Sequence, residues 1–210
     1  DALASGAVEL QKAFESRNEV ISALYYYRAK ARGLTGLLSS SIQLLPHQIE
    51  IVQRIMSDPV QRYLLADEVG LGKTIEAGML VRQAWLSGRA KRILILAPRA
   101  VLSQWQIELR EKFGLNWPIY DGQKLSWYPT IAFGATQDKQ VGPEEWHEEP
   151  CVLTSSQLMR RRDRASELLE NAANYDLIIL DEAHHARGRG AGGDGEARPN
   201  ELLRLMGRLR

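Results

Sequence analysis

Apolar residues recur along the chain in two alternating patterns, short continuous runs and longer stretches with helical spacing. The runs predict buried strands at residues 63–66, 93–97, 151–153 and 177–180. The longer stretches predict helices that start at Lys73, that span residues 101–113 and that span residues 156–171. This strand, helix, strand rhythm predicts the α/β class, with a parallel β-sheet that carries helices on both faces.

The first part of the chain has a different pattern. Residues 3–30 carry apolar positions at helical spacing without a proline, which predicts an N-terminal helix. Glycines at 33 and 36 and the serines at 39–41 then break that pattern. We therefore expect residues 1–45 to form an N-terminal helical extension and linker, and residues 46–210 to form the main domain. Pro46 suits the first turn of a helix that runs to Met56.

Two segments have no clear period. Residues 121–149 are rich in Trp, Gly, Pro and acidic residues, which predicts a loop-rich insertion. Residues 188–199 are rich in glycine and charge, which predicts a mobile loop.

Composition limits the compartment in which the protein can work. The chain has 210 residues, 44% hydrophobic and 25% charged, with a formal net charge of +1, which neither demands nor excludes a polyanionic partner. The single Cys151 excludes an internal disulfide framework and fits a reducing compartment. No apolar run approaches the roughly 20 residues that span a bilayer. We therefore expect a cytoplasmic protein that does not enter a membrane.

A phosphate-binding turn is indicated at residues 64–74, which read LLADEVGLGKT. Such a turn needs consecutive backbone N–H groups that point into one concavity, at the positive end of a helix. Lys73 would reach the β- and γ-phosphates, and the Thr74 hydroxyl would bind magnesium. The alternative is a glycine turn that happens to precede a helix. The residues expected around the phosphates are Asp67, Glu68, Val69, Gly70, Leu71, Gly72, Lys73 and Thr74.

A second acidic site is indicated at residues 176–185, which read DLIILDEAHH. A buried strand in the middle of a parallel sheet delivers Asp181 and Glu182 to its carboxyl end, where α/β sheets bind ligands. Asp181 would be a magnesium partner, Glu182 would orient and deprotonate the attacking water, and His184 would respond to the γ-phosphate. The pair His184 and His185 raises zinc as an alternative, but the sequence places no cysteine or further histidine to complete a tetrahedral site.

These motifs together resemble the superfamily-two helicase-like ATPases, and within them the SWI/SNF-type double-stranded nucleic-acid translocases. DEVGLGKT, with Asp67 where the generic pattern has glycine, is similar to motif I of that group, and DEAHH is similar to its motif II. Residues 97–108, APRAVLSQWQIE, match its Pro, Leu, Trp, Glu spacing. LLPHQ at residues 44–48 resembles the adenine-reading motif, with Gln48 in the reading position.

The resemblance implies a RecA-like P-loop lobe that uses ATP and Mg²⁺ on a nucleic-acid track, with double-stranded DNA favoured over RNA. It also implies contacts to that track from Arg99, Ser103, Thr154 and Ser155. The chain is most similar to the bacterial branch of RNA-polymerase-associated ATPases, so RNA polymerase or other protein subunits are expected partners.

The resemblance further implies a Ser/Thr-Ala-Thr coupling motif after residue 210 and a second RecA-like lobe that carries arginine fingers. The 210 residues contain neither, so we interpret them as the first lobe, truncated before the coupling motif. Because the transferring phosphoryl group needs positive charge from the opposite side, we expect this lobe alone to bind ATP weakly and to hydrolyse it negligibly.

Other functions stay open from the sequence. One is a P-loop enzyme that acts on a small molecule, such as a kinase. Another is a nucleotide-responsive scaffold that has lost catalysis. Two further features have competing interpretations: Trp105, at i+4 spacing with Val101 and Leu109, predicts core packing, and the arginines at 160–164 predict either a solvated face or a nucleic-acid contact.

Overall fold

The computed structural model describes residues 20–21, 23, 34–37, 40–59, 62–65, 72–129, 134–135, 137–186, 188–189 and 198–209. Six strands in these residues form one sheet: β1 (Ile93–Ala97), β2 (Ile119–Tyr120), β3 (Lys124–Trp127), β4 (Gln137–Gln140), β5 (Cys151–Ser155) and β6 (Leu177–Leu180). Their order across the sheet is β4-β3-β2-β5-β1-β6. Strands β2, β5, β1 and β6 run parallel, and β3 and β4 extend the sheet antiparallel beyond β2.

Helices cover both faces of this sheet, which confirms the predicted α/β class. The first face carries α1 (Pro46–Ser57), α2 (Lys73–Leu86) and α3 (Leu102–Phe113). The second face carries α4 (Ser156–Met159), α5 (Arg162–Asn171) and α6 (Glu201–Arg208). Helices in the described part of the chain are all too short or too polar to cross a lipid bilayer.

The alternation of side chains along β1 explains why the protein has two cores. Ile93, Ile95 and Ala97 pack with the first-face helices, and Leu94 and Leu96 pack with the second-face helices. All five residues are buried. A continuous apolar strand of this kind is expected where both faces of a parallel sheet are covered.

The helices of the first face approach each other closely at one point. A Cβ atom on Gly78 of α2 would lie 2.2 Å from Cε2 of Phe113, the last residue of α3. Only a glycine allows the ring to lie there without displacement. Gly114, the residue after α3, adopts a left-handed backbone conformation with φ 64° that ends the helix.

Residues 34–44, which the sequence indicates as a linker, pack on the first face. Leu34, Leu37 and Leu44 are buried there, and a one-turn 3₁₀ helix spans Thr35–Leu37. The Arg82 Nε atom of α2 donates a hydrogen bond to the carbonyl of Gly36 at 2.7 Å. These residues are therefore part of the lobe's core, while the boundary near residue 45 stays a prediction. Of the predicted N-terminal helix, only Val20, Ile21 and Ala23 are described, and they are helical.

Several predicted elements coincide with the observed ones. The strands at residues 93–97 and 177–180 match β1 and β6, and α1 begins at Pro46 as expected. The predicted helix at residues 156–171 is instead two helices, because the backbone of Arg161 is extended with ψ 139° and starts α5 anew.

Other predictions are wrong. The described residues 62–65 form no strand, although a strand was expected at residues 63–66. Residues 121–149 contain β3 and β4, because Leu125 packs into the second core while its polar neighbours face outward. Within the described sheet β6 is an edge strand rather than a central one.

The glycine-rich segment near the end of the chain has paired ends. Two short strands, β7 (Gly188–Arg189) and β8 (Arg198–Pro199), form an antiparallel ladder. The residues between them lie outside the described part, so the predicted mobile loop is described only at its ends.

Candidate functional site

The carboxyl ends of β5, β1 and β6 form one edge of the sheet, and the predicted site residues follow these ends. Ala97 of β1 is level with Ser155 of β5. The backbone N–H of Asp181 donates to the carbonyl of Leu96 at 2.8 Å, so Asp181 extends β6 by one position. The predicted magnesium ligand and the predicted nucleic-acid segments therefore start from adjacent strands.

The carboxylate of Asp181 is held from two sides. The indole Nε1 of Trp105 donates to Oδ2 at 2.8 Å, and the backbone N–H of Glu182 donates to Oδ1 at 2.8 Å. The Asp181 side chain is half-buried. Each oxygen has a further lone pair, and carboxylate oxygens are preferred magnesium ligands, so Asp181 fits the role expected of it.

The backbone turns sharply at Glu182. Its φ is 52° and its ψ is 45°, a left-handed conformation that costs a residue with a side chain on the order of 1–3 kcal/mol. The turn starts the 3₁₀ helix Ala183–His185, and the side chain of Glu182 comes to lie in solvent. Local strain of this kind is often found at functional sites, and here it presents the carboxylate at the rim of the sheet.

Two histidines follow Glu182 in the same turn. The Nδ1 atom of His184 lies 2.9 Å from Oε2 of Glu182, and both side chains are exposed. His185 adds a second ring, 4.2 Å from that of His184 between centroids. Potential ligand atoms of the three residues lie within 4.8 Å of one another. Glu182 would therefore be the third ligand in the zinc alternative, beside the two histidines.

The start of α2 lies against Gln48. Gly72, the residue before α2, has φ 88°, and a Cβ atom on it would lie 2.7 Å from Nε2 of Gln48. Gln48 is buried, so its amide is held beside the last glycine of the predicted phosphate turn. The structure therefore places the predicted adenine-reading residue beside Gly72, the described end of the predicted phosphate turn. The expected cradle residues Asp67, Glu68, Val69, Gly70 and Leu71 lie outside the described residues.

The first turn of α2 carries Lys73 and Thr74, both half-buried. Residues 87–92 connect α2 to the amino end of β1, so the C-terminal end of α2 lies near that end of the sheet. A helix of 14 residues is about 21 Å long, which carries its N-terminal end well away from the amino end of β1. The meeting of Lys73 with Asp181 around one nucleotide stays a prediction.

The expected nucleic-acid contacts differ in exposure. Arg99 and Ser103, at the start of α3, are exposed. Ser155 is buried, and its hydroxyl accepts a hydrogen bond from the backbone N–H at the third residue of α4. Thr154 is fully buried, and its hydroxyl donates to the carbonyl of Tyr120 at 3.1 Å. The Thr154 side chain therefore lies inside the fold, not on a surface that a strand could touch.

A glutamine joins two of the candidate contact segments. Oε1 of Gln157, in α4, accepts a hydrogen bond from the backbone N–H of Arg99 at 3.1 Å. The turn after β1 and the helix after β5 are thus tied together at the same edge. The contact links residues far apart in the chain, which is why sequence spacing gave no sign of it.

Trp105 was predicted to pack in the core, and the structure confirms that it is buried. The hydrogen bond from its indole to Asp181 was not predicted, because it joins side chains 76 positions apart. A signal was present in the chain, since a buried tryptophan N–H requires a partner. The motif that contains Trp105 is therefore connected directly to the acidic motif.

The second face of the sheet carries another polar cluster, centred on Glu167 of α5. Its Oε1 accepts from Nε1 of Trp146 at 2.6 Å and lies 3.1 Å from Nε2 of His147. Its Oε2 accepts from Nη1 of Arg164 at 3.0 Å. Arg164, one member of the predicted basic cluster, is thus engaged inside the protein. A surface pocket of about 390 Å³ beside this cluster is lined by Arg92, Glu144, His147, Glu148, Asn171 and Asn174.

Burial controls protonation in this second cluster. Desolvation lowers the pKa of His147, Glu167 acts to raise it, and the guanidinium groups of Arg92 and Arg164 act to lower it. Desolvation also raises the pKa of Tyr175, whose hydroxyl lies 3.3 Å from Nδ1 of His147. Both groups are therefore neutral at neutral pH.

A comparison with known proteins assigns the family. The family described as type III restriction enzyme, res subunit, matches residues 41–198. The match covers well over half of the chain, and the chain therefore belongs to this family of helicase-like proteins.

Individual relatives agree with this assignment. The chain is 39% identical over 160 residues to the RNA polymerase-associated protein RapA of Sodalis glossinidius (strain morsitans), covering 76% of this chain and 15% of that protein. It is 37% identical over 187 residues to the protein of the same name from Vibrio atlanticus (strain LGP32), covering 88% of this chain and 18% of that protein. The chain thus spans less than a fifth of the length of these relatives.

The family match and the relatives confirm that the chain is a superfamily-two helicase-like lobe of the RapA type. They also agree with a RecA-like fold, in which a mostly parallel sheet is covered by helices.

Proposed function

We propose that the chain is the ATP-binding lobe of a nucleic-acid-dependent ATPase, a helicase-like translocase of the SWI/SNF type that moves along double-stranded DNA. The observation that carries the proposal is the shared edge: Asp181 directly follows β6, and the adjacent strand β1 leads into the exposed Arg99 and Ser103. Nucleotide chemistry and strand contact would then act on neighbouring strands of one sheet.

In this proposal each site residue has one role in ATP binding or hydrolysis. The backbone N–H groups of residues 67–72 and the Lys73 ammonium bind the phosphates, and Gln48 selects adenine by hydrogen bonds to the base. Thr74 and Asp181 would hold Mg²⁺, which neutralises charge on the β- and γ-phosphates when bound. Glu182 orients the attacking water and accepts its proton.

The contact at Oε2 of Glu182 suggests how the nucleotide state is passed on. His184 lies within hydrogen-bond distance of this oxygen, so movement of Glu182 toward water would release or shift the ring. We assign His184 a coupling role on this basis. Arg99 and Ser103 would contact the phosphate backbone of the track, with the buried Thr154 and Ser155 holding the strand end beside them.

Hydrolysis at a useful rate needs a second lobe whose arginines stabilise the transferring phosphoryl group. The relatives are named as RNA polymerase-associated, and by analogy we propose RNA polymerase as a partner of the full-length protein. The buried, free Cys151 is compatible with a cytoplasmic setting for the protein.

The test is the ATPase rate of the full-length protein with duplex DNA, duplex RNA, single strands or no nucleic acid. Duplex DNA should stimulate the rate most, and Lys73→Ala should abolish the stimulated rate. Lys91 is an exposed lysine that lies shortly before the amino end of β1. Lys91→Ala is the matched control and should behave as wild type. A rate that responds to a small-molecule acceptor and not to nucleic acid would overturn the proposal in favour of a small-molecule P-loop enzyme.

A further inference from the structure

A buried tryptophan supplies a hydrogen bond to the proposed magnesium ligand. Nε1 of Trp105 lies 2.8 Å from Oδ2 of Asp181, and the Trp105 side chain is 3% exposed. The ring packs in the first core together with Leu102 and Leu109 of the same helix. A bicyclic ring in a packed core has little freedom, so its N–H points in one direction and holds one orientation of the carboxylate.

The same helix begins at the proposed contact surface. Ser103 lies two positions before Trp105 and is exposed, and Arg99 lies in the 3₁₀ turn that leads into α3. The backbone of Arg99 is tied to Gln157 of α4. Less than two helical turns therefore separate the proposed contact residues from the indole that holds Asp181.

We propose that Trp105 is a positioning residue, through which nucleic-acid contact at the start of α3 sets the orientation of Asp181 and so the affinity of the site for magnesium. This inference rests on the proposed function. Partners that orient a metal ligand without touching the metal typically change metal affinity or activity about 10- to 100-fold when they are removed.

Trp105→Phe tests the inference in the full-length protein, because it keeps an aromatic ring and removes the N–H group. The Mg²⁺ concentration for half-maximal ATP hydrolysis should rise on the order of tenfold. Stimulation by duplex DNA at saturating Mg²⁺ should fall, while the affinity for the DNA stays unchanged. Binding of Mn²⁺ in the presence of ADP, followed by electron paramagnetic resonance, should weaken in parallel.

Trp117→Phe is the matched control. Trp117 is a buried tryptophan of the same core whose ring packs edge-on against Trp85, 5.7 Å away between centroids. The substitution removes the same atoms away from Asp181, so magnesium dependence should be unchanged. If Trp105→Phe does not fold, 3-benzothienylalanine at position 105 keeps the bicyclic shape and still lacks the N–H group.

The outcomes separate the inference from the function on which it rests. A wild-type protein without nucleic-acid-stimulated hydrolysis would sink the proposed function. A stimulated wild type together with a Trp105 variant of unchanged magnesium dependence would overturn only the positioning role.

Discussion

Two tryptophans on different faces of the sheet each donate to a carboxylate, and the two pairs differ in how completely the carboxylate is engaged. Trp146 donates to Glu167, which also contacts His147 and Arg164, and the Glu167 side chain is only 12% exposed. Trp105 donates to one oxygen of Asp181, and among the described residues the other oxygen accepts only the backbone N–H of Glu182.

In our proposal, this difference separates a structural use of the indole hydrogen bond, at Glu167, from a functional one, at Asp181. A carboxylate whose oxygens are filled by protein donors stabilises the fold and has no capacity for a ligand. A carboxylate that is oriented but not filled can bind a cation that arrives with a nucleotide. The same indole donor can therefore serve both purposes, depending on what else surrounds the acid.

The largest expected effect is on ATP hydrolysis at the carboxyl end of β6, where Asp181 and Glu182 lie. Glu182→Gln should lower the nucleic-acid-stimulated ATPase rate of the full-length protein by about 10²–10⁴-fold, because the amide cannot accept the proton of the attacking water. Binding of an ATP analogue and the unfolding transition should stay close to wild type, since the side chain is exposed. An unchanged rate would remove Glu182 from the mechanism.

Removal of the filled carboxylate should instead damage the fold. Glu167→Ala leaves the buried donors around it without their acceptor, and we expect the free energy of unfolding to fall by about 3–5 kcal/mol. Urea denaturation measures this loss. Glu170→Ala, an exposed glutamate of the same helix, should cost less than about 0.5 kcal/mol. Similar losses for the two variants would contradict the assigned structural role.

The two indoles can be compared directly by the same substitution. Trp146 is fully buried and stacks on Tyr120 at 4.8 Å, so Trp146→Phe should lower the free energy of unfolding by at least about 1.5–3 kcal/mol, the cost of a hydrogen bond to a charged group. Magnesium dependence should not change in this variant, in contrast to Trp105→Phe. A changed magnesium dependence in Trp146→Phe would contradict the distinction between the Glu167 and Asp181 carboxylates.

The smallest expected effect is a pH dependence from His147. Because burial lowers its pKa in the folded protein, the unfolded chain binds a proton first as the pH falls. Stability from the neutral ring is fully present above the ordinary value of 6.5 and is lost as the pH drops toward the lowered value. Melting temperatures at pH 7.5 and pH 5.0 should therefore differ more for wild type than for His147→Gln. Equal differences would show that another group controls the acid response.

Sequence reasoning succeeded where a pattern is local. The continuous apolar runs predicted β1 and β6 to the residue. Such a run is expected for β1, which is buried on both faces, and β6 keeps it although its residues are only half-buried. The acidic motif directly follows the run of β6, so it was correctly placed at a strand end. Pro46 marked the start of α1, since proline fits only the first turn of a helix.

Sequence reasoning failed where contacts between residues far apart in the chain determine the structure. Strands β3 and β4 have too few apolar residues to be recognised, and they exist because β2 offers an edge on which they can pair. The hydrogen bond from Trp105 to Asp181 and the contact of Gln48 with Gly72 depend on the packing of distant segments. The phosphate-turn residues and the roles assigned to Lys73, Glu182 and His184 stay predictions.

The packing of Leu34, Leu37 and Leu44 against the first face bears on how this lobe can be isolated for study. An expression boundary at residue 45 would remove three leucines from the first core and expose the apolar surface beside α2 that they cover. Recombinant versions that begin upstream of Leu34 should remain soluble, whereas shorter ones should aggregate when concentrated.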